Sequence, residues 1–200
     1  MNYINSFMSK KEINSVGFKS IGKNVMISKK VSIYSPQNIS IGDNVRIDDF
    51  TIISGTSGYI KIQNHIHIAS YCNLVGGGGI ELDSFSGLSS RVSLYSLSND
   101  YDGDFLIGPT IKSDYTKHDK GPIILKKYVT IGTNSVVMPN IKIKEGAVLG
   151  AFSMAKKNID EWSIYFGVPA KKIKSRKKGL IKLAKKMSDE WIVQKNKYRF

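Results

Sequence analysis

Two hundred residues, 41% of them hydrophobic, suffice for one globular domain with a substantial core. The longest apolar runs are a few residues, against the roughly 18 or more that span a bilayer, and the N-terminal MNYINSFMSKKE has no apolar signal core. One cysteine excludes an internal disulfide, and of the net charge of +14 the segment 156–200 carries +10, from 14 Lys/Arg against 4 Asp/Glu.

In chain order, the first predicted element is a short helix within residues 1–15, where Ser9 followed by Glu12 forms a capping-box pattern. A repeat begins next. Aliphatic residues recur every six positions in triplets: Ile21, Ile27, Ile33; Ile41, Ile47, Ile53; Ile62, Ile68, Leu74; Leu82, Leu88, Leu94; Leu125, Ile131, Val137; Ile143, Leu149, Ala155. Four residues after each stands a small or β-branched residue, with Gln37 the exception. A period of six fits neither an α-helix at 3.6 residues per turn nor one long strand, but it fits short strands separated by bends. Three hexads close a triangular coil, and six stacked coils over residues 16–174 make a prism filled by the aliphatic column.

Within the third coil, HIHIASYCNLVGGGG (65–79) raises several chemistries at once. The register points Ile66, Ile68 and Cys72 inward, so Cys72 is core and inert. His65 and His67 flank Ile66 on the outer surface, without a carboxylate or cysteine at ligand spacing, so no metal is expected. His67 has two readings, an ordinary surface histidine or a general base that accepts a proton from a nucleophile. Gly76 to Gly79 fall at a corner where side chains would crowd a neighbour, and no helix follows to make them a phosphate loop.

The gaps between triplets are 8, 9, 8, 31 and 6 residues, so every insertion leaves from the same corner and residues 95–122 form an extruded loop. Loops of that length in compact repeats are usually functional or disordered. Its Asp100 and Asp102 are suited to orienting an ammonium or a histidine, or are simply solvated. Beyond the coils, Leu180, Leu183, Met187 and Trp191 follow helical spacing on a basic amphipathic helix within residues 175–200. Covering the end of the prism is the expected role of that stripe, with peripheral contact to an acidic membrane surface as the alternative.

The hexads IGKNVM (21–26), IGDNVR (41–46), IGTNSV (131–136) and LGAFSM (149–154), with the closing GVPAKKIK (167–174), resemble the hexapeptide-repeat acyltransferases over residues 15–175. The sugar and galactoside O-acetyltransferase branch is the one named by this likeness. The resemblance implies a left-handed parallel β-helix, a handedness that spacing cannot supply. It also implies a homotrimer with a cytoplasmic location, acetyl-CoA as co-substrate without a metal, and coenzyme contacts at Thr133, Ala151, Lys156, Lys157, Lys171 and Lys174. Cations there suit pyrophosphate and 3′-phosphate groups.

The chain departs from the family at LYSLSND (94–100). Relatives with an IYTxTH-like pattern carry a catalytic histidine where this chain has Asn99, which cannot accept a proton. His67, and after it His118, are the remaining candidates for a base, unless no protein base is used. Tyr95, Asn99, Asp100, Tyr101 and His118 are the expected acceptor side. The resulting expectation is direct acetyl transfer to a hydroxyl or amino group of a sugar, in bacterial surface polysaccharide assembly. A nucleotide-linked amino-sugar N-acetyltransferase and a non-catalytic binding protein are the alternatives. Nucleic-acid binding is not expected, because the flat faces lack interleaved aromatics.

Overall fold

A computed structural model describes residues 6–197, with side chains to residue 188. The repeat folds as a left-handed parallel β-helix with three flat faces. Face one stacks Ser20–Ile21, Ile39–Ile41, Ile60–Ile62, Ile80–Leu82, Ile123–Leu125 and Lys142–Ile143. Face two stacks Met26–Ile27, Val45–Ile47, Ile66–Ile68, Gly87–Leu88, Thr130–Ile131, Val148–Leu149 and Ser163–Phe166, and ends with the antiparallel strand Lys171–Ser175. Face three stacks Ser32–Tyr34, Ile52–Ser54, Asn73–Val75, Ser93–Tyr95, Val136–Val137 and Met154–Ala155. Six coils are complete, and a seventh begins where Ile159 bridges to Ile143 and Ser163–Phe166 joins face two.

The aliphatic period is the reason for this shape. Equivalent residues pair directly, as in Ile41 with Ile62 and Leu82 with Leu125, so backbone bonds run between coils while the aliphatic column points inward. Sixteen of the eighteen repeat positions are buried; Ile21 and Ile33, in the first coil with no further coil beneath, are half-buried. Each buried Ile or Leu contributes about 1.5–3 kcal/mol relative to exposure.

The second constraint holds at two corners, whereas at the third it holds at Ile141 and Ile159 in the last two coils and fails in the first four. Gln37, Ser57, Gly78 and Ser98, each four residues after the third aliphatic of a coil, are not buried. Ile39, Ile60, Ile80 and Ile123 fill that inward slot with no exposed surface. The insertions enter before the slot, so counting forward from the previous coil lands in the loop, whereas counting back two from the next coil lands in the core.

The helix α1 (Lys10–Ser15) carries both capping-box bonds: Ser9 N donates to Glu12 Oε2 at 2.6 Å, and Glu12 N to Ser9 Oγ at 3.2 Å. At the other end α2 (Gly179–Lys197) does not cover the end of the prism as its stripe suggested. Arg176 Nη1 donates to Tyr128 O at 2.7 Å and Gly146 O at 3.0 Å, tying the preceding turn to the flank. Leu180, Leu183 and Met187 then line a groove of about 270 Å³ against Phe85, Tyr128 and Thr130. The Trp191 side chain lies outside the described residues. Among the described residues no helix is long and apolar enough to cross a membrane.

Candidate active site

Most corners of the prism are turned by a residue with positive φ. At the corner between faces two and three these are Phe50, Tyr71, Arg91, Asn134 and Phe152. The residue before each forms a second column, and Ser90, Thr133 and Ala151 stand in it. Thr133 Oγ1 donates to Ser90 O at 2.7 Å, Asn134 N to the same oxygen at 3.1 Å, and Phe152 N to Thr133 O at 2.9 Å. Thr133 and Ala151 are therefore neighbours, and Ser90 lies one coil below Thr133 and two below Ala151. The four candidate lysines are divided between surfaces. Lys156 and Lys157 leave the end of face three, whereas Lys171 and Lys174 stand on the last strand of face two, opposite Phe166 and Ile164.

His67 sits in the middle of face two, exposed, and stacks in register on Arg46 of the coil below. Both reach for the same carboxylate. His67 Nε2 lies 2.7 Å from Asp48 Oδ2, and Arg46 Nε donates to Asp48 Oδ1 at 2.7 Å. Burial pushes the Asp48 carboxyl upward, but the hydrogen bonds and charges of Arg46 and His67 together outweigh it and hold the group below its ordinary value. An ionised carboxylate only accepts, so Nε2 carries the proton and neutral His67 keeps its lone pair on Nδ1. Above it in the column is Gly87, whose absent side chain leaves the ring uncovered on that side.

The rest of the 65–79 segment is structural. His65 occupies the corner between faces one and two at φ +58° and stacks on Phe85 with centroids 4.8 Å apart. Cys72 is buried, donates to Ser89 O at 3.2 Å, and desolvation pushes its thiol up to about 11. A Cβ on Gly78 would lie 2.1 Å from Ser96 O, the close approach expected of this corner. Among the described residues no group of three His, Cys, Asp or Glu is placed to hold a metal.

The extruded loop leaves from the corner between faces three and one and opens as a two-stranded ribbon, Leu97–Asn99 antiparallel to His118–Lys120. This pairing sets His118 directly opposite Asn99. Asp100 follows at the ribbon's end, where its Oδ2 accepts from Gly103 N at 2.9 Å and Asp104 N at 3.1 Å. Tyr101 is 83% exposed, with Ser98 Oγ 3.3 Å from its hydroxyl, and Tyr95 OH accepts from Asn73 Nδ2 at 3.3 Å. Asn99, Asp100, Tyr101 and His118 are thus gathered at the base of the loop. His67 does not join them within one chain, because it faces out from a different side of the prism.

Sequence reasoning missed Asp48, Arg46 and Ser90. The available signal was the coil itself: Asp48 follows Ile47 just as His67 precedes Ile68, and these two aliphatics pair in register.

No protein-family model matches the chain. A dTDP-4-amino-4,6-dideoxy-D-glucose acyltransferase of Escherichia coli is 40% identical over 178 residues, covering 89% of this chain and 93% of its own length. AntD, an N-acyltransferase from Bacillus cereus, has been crystallised as a variant with dTDP-4-amino-4,6-dideoxyglucose and coenzyme A. That structure shares 47% identity and a TM-score of 0.90 over 94% of this chain and 100% of its own. AntD has also been crystallised with dTDP and 3-hydroxybutyryl-CoA, and as variants of one serine or of one aspartate ten residues further along its chain. A maltose O-acetyltransferase of Clostridium difficile 630, 18% identical with a TM-score of 0.57 over 88% of this chain and 80% of its own, shares the fold. With its coils complete and identities of 40% or more extending over about nine-tenths of its length, this chain belongs to the hexapeptide-repeat family of sugar acyltransferases.

Proposed function

We propose that this protein transfers an acyl group, acetyl in the first instance, from its coenzyme A thioester to the amino group of a dTDP-4-amino-4,6-dideoxyhexose. The observation that carries this reading is a spacing. A serine followed ten residues later by an aspartate occurs once in this sequence, at Ser90 and Asp100. It matches the spacing of the serine and aspartate substituted in the AntD structures. Asn99 supports the same choice, since an amine loses its proton more readily than a hydroxyl and demands less of a protein base.

In this reading the neutral amine attacks the thioester carbonyl, a C–N bond forms and the C–S bond breaks. The amine loses one proton and the departing thiolate of coenzyme A gains one. Asp100, anchored through Oδ2, has Oδ1 to accept an N–H of the amine and orient its lone pair. Donors at the Ser90 corner stabilise the developing oxyanion. Asn99, Tyr95, Tyr101 and His118 line the sugar side, while Thr133 and Ala151 border the thioester arm and the four lysines serve coenzyme phosphates. His67, oriented by Asp48, receives the proton. For His67 and the loop to share one site, the loop of one protomer must reach face two of the next. The homotrimer of the reading supplies that arrangement, with three sites under closed symmetry. The reaction belongs in the cytoplasm, where nucleotide sugars and coenzyme A thioesters meet, as a step toward surface polysaccharide.

The test is incubation of the purified protein with acetyl-CoA and dTDP-4-amino-4,6-dideoxyglucose, followed by mass spectrometry of the nucleotide sugar. The expected product gains one acetyl group on nitrogen. Acetylation of sugar hydroxyls without turnover of the amino sugar would overturn the reading.

A further inference from the structure

The corner beside Ser90 carries a stack that the acyl transfer itself does not use. Phe50 and Tyr71 are stacked with centroids 4.9 Å apart, Lys30 Nζ lies 5.0 Å from the Phe50 centroid, and the Arg91 guanidinium carbon lies 5.2 Å from the Tyr71 centroid. Each aromatic is about half exposed, yet its faces are engaged by the other ring or by a cation, so only ring edges meet solvent. A nucleotide base therefore finds no open face to stack on here. The recognition element is Arg91, because a guanidinium resting on a ring keeps its in-plane N–H donors for an anion.

The other described arginines are occupied. Arg46 is bonded to Asp48, and Arg176 to the carbonyls of Tyr128 and Gly146. Arg91 has no carboxylate partner among the described residues. The two carboxylates beside this corner in the second coil are committed elsewhere, Asp49 to Ser28 and Lys30, and Asp48 to Arg46 and His67. Arg91 also turns the corner at φ +61°, which fixes where its side chain leaves the rod, and it is the residue immediately after Ser90.

We infer that Arg91, braced by Tyr71, is a bidentate clamp for the diphosphate of the nucleotide-linked acceptor. This rests on the nucleotide-sugar reading above. Coenzyme A also carries a pyrophosphate, but its candidate lysines lie in the sixth coil and beyond, whereas Arg91 lies in the fourth. At about 4.8 Å per coil, that places Arg91 roughly 10 Å or more down the rod from them. A planar fork matches two phosphate oxygens at once, which the lysine-rich remainder of the surface cannot do.

The experiment compares the native protein with R91Q and R91K. Binding of dTDP alone is measured by calorimetry, the Michaelis constants for acceptor and acetyl-CoA by steady-state kinetics, and melting temperatures to establish folding. R91Q is expected to weaken dTDP and raise the acceptor constant by about tenfold or more, the size of one lost charge-assisted pair, with the effect on KM rather than kcat. R91K is expected to recover only part of the loss. An effect confined to acetyl-CoA assigns Arg91 to the coenzyme and overturns the proposal, as does unchanged dTDP affinity in a folded R91Q. Native protein that binds dTDP without acylating the amino sugar defeats the proposed reaction while leaving the clamp to be judged by R91Q. Native protein that does not bind dTDP defeats the clamp directly.

Discussion

His67 and Asp48 meet across one turn of the rod, with Nε2 and Oδ2 2.7 Å apart although 19 residues separate them in the chain. If this pair receives the proton of the acceptor, His67→Ala lowers kcat by about 100-fold. Asp48→Asn, which removes the charge that orients the ring, costs at least about tenfold. Near-native turnover by His67→Ala at saturating acceptor would remove the histidine from the chemistry.

The same carboxylate has a signature in stability. Its pKa is lowered in the folded protein, so its contribution is complete above the unfolded value near 3.9 and is lost as pH falls through the lower folded value. Melting temperatures recorded from pH 7 down to pH 3 should show the native protein losing its advantage over Asp48→Asn only below about pH 4. A gap between the two that is constant across that range would contradict the pairing.

Ser90 and Asp100 should behave as partners in the transfer step. Asp100→Asn and Ser90→Ala are each expected to reduce kcat/KM for the amino sugar by about tenfold or more. Activity retained by both variants would dissociate this chain from the AntD spacing.

Lys171 and Lys174 stand exposed on the last strand of face two. Replacing both with alanine should raise the Michaelis constant for acetyl-CoA severalfold without a matching fall in kcat. An unchanged constant refutes their assignment to coenzyme phosphates.

Two positions report on the rod itself. Cys72, buried and pushed up to about 11, should resist a thiol reagent at pH 8 in the native protein and titrate as one thiol per chain in denaturant. Gly132→Ala places a Cβ 2.4 Å from Ala151 N, a backbone contact that cannot move aside as a side chain can. It should cost about 1–3 kcal/mol in chemical denaturation, and a neutral result would mean that these coils are spaced more loosely.

The rod and its inward column are legible from the six-residue period, because burial in a solenoid repeats with the coil and local spacing alone decides which residues face in. Cys72, Ile66 and the glycine corner follow from that register, as does the long insertion after Leu94. The sites are a different matter. His67 with Asp48, Arg91 over Tyr71 and Thr133 on Ser90 join residues that the rod stacks one coil apart, and the last pair spans 43 positions because the loop intervenes. Within the loop no period exists to read, so the antiparallel ribbon that sets His118 opposite Asn99 is decided by backbone pairing in three dimensions. Repetition specifies which way a backbone faces; where long polar side chains converge depends on the stacking of coils.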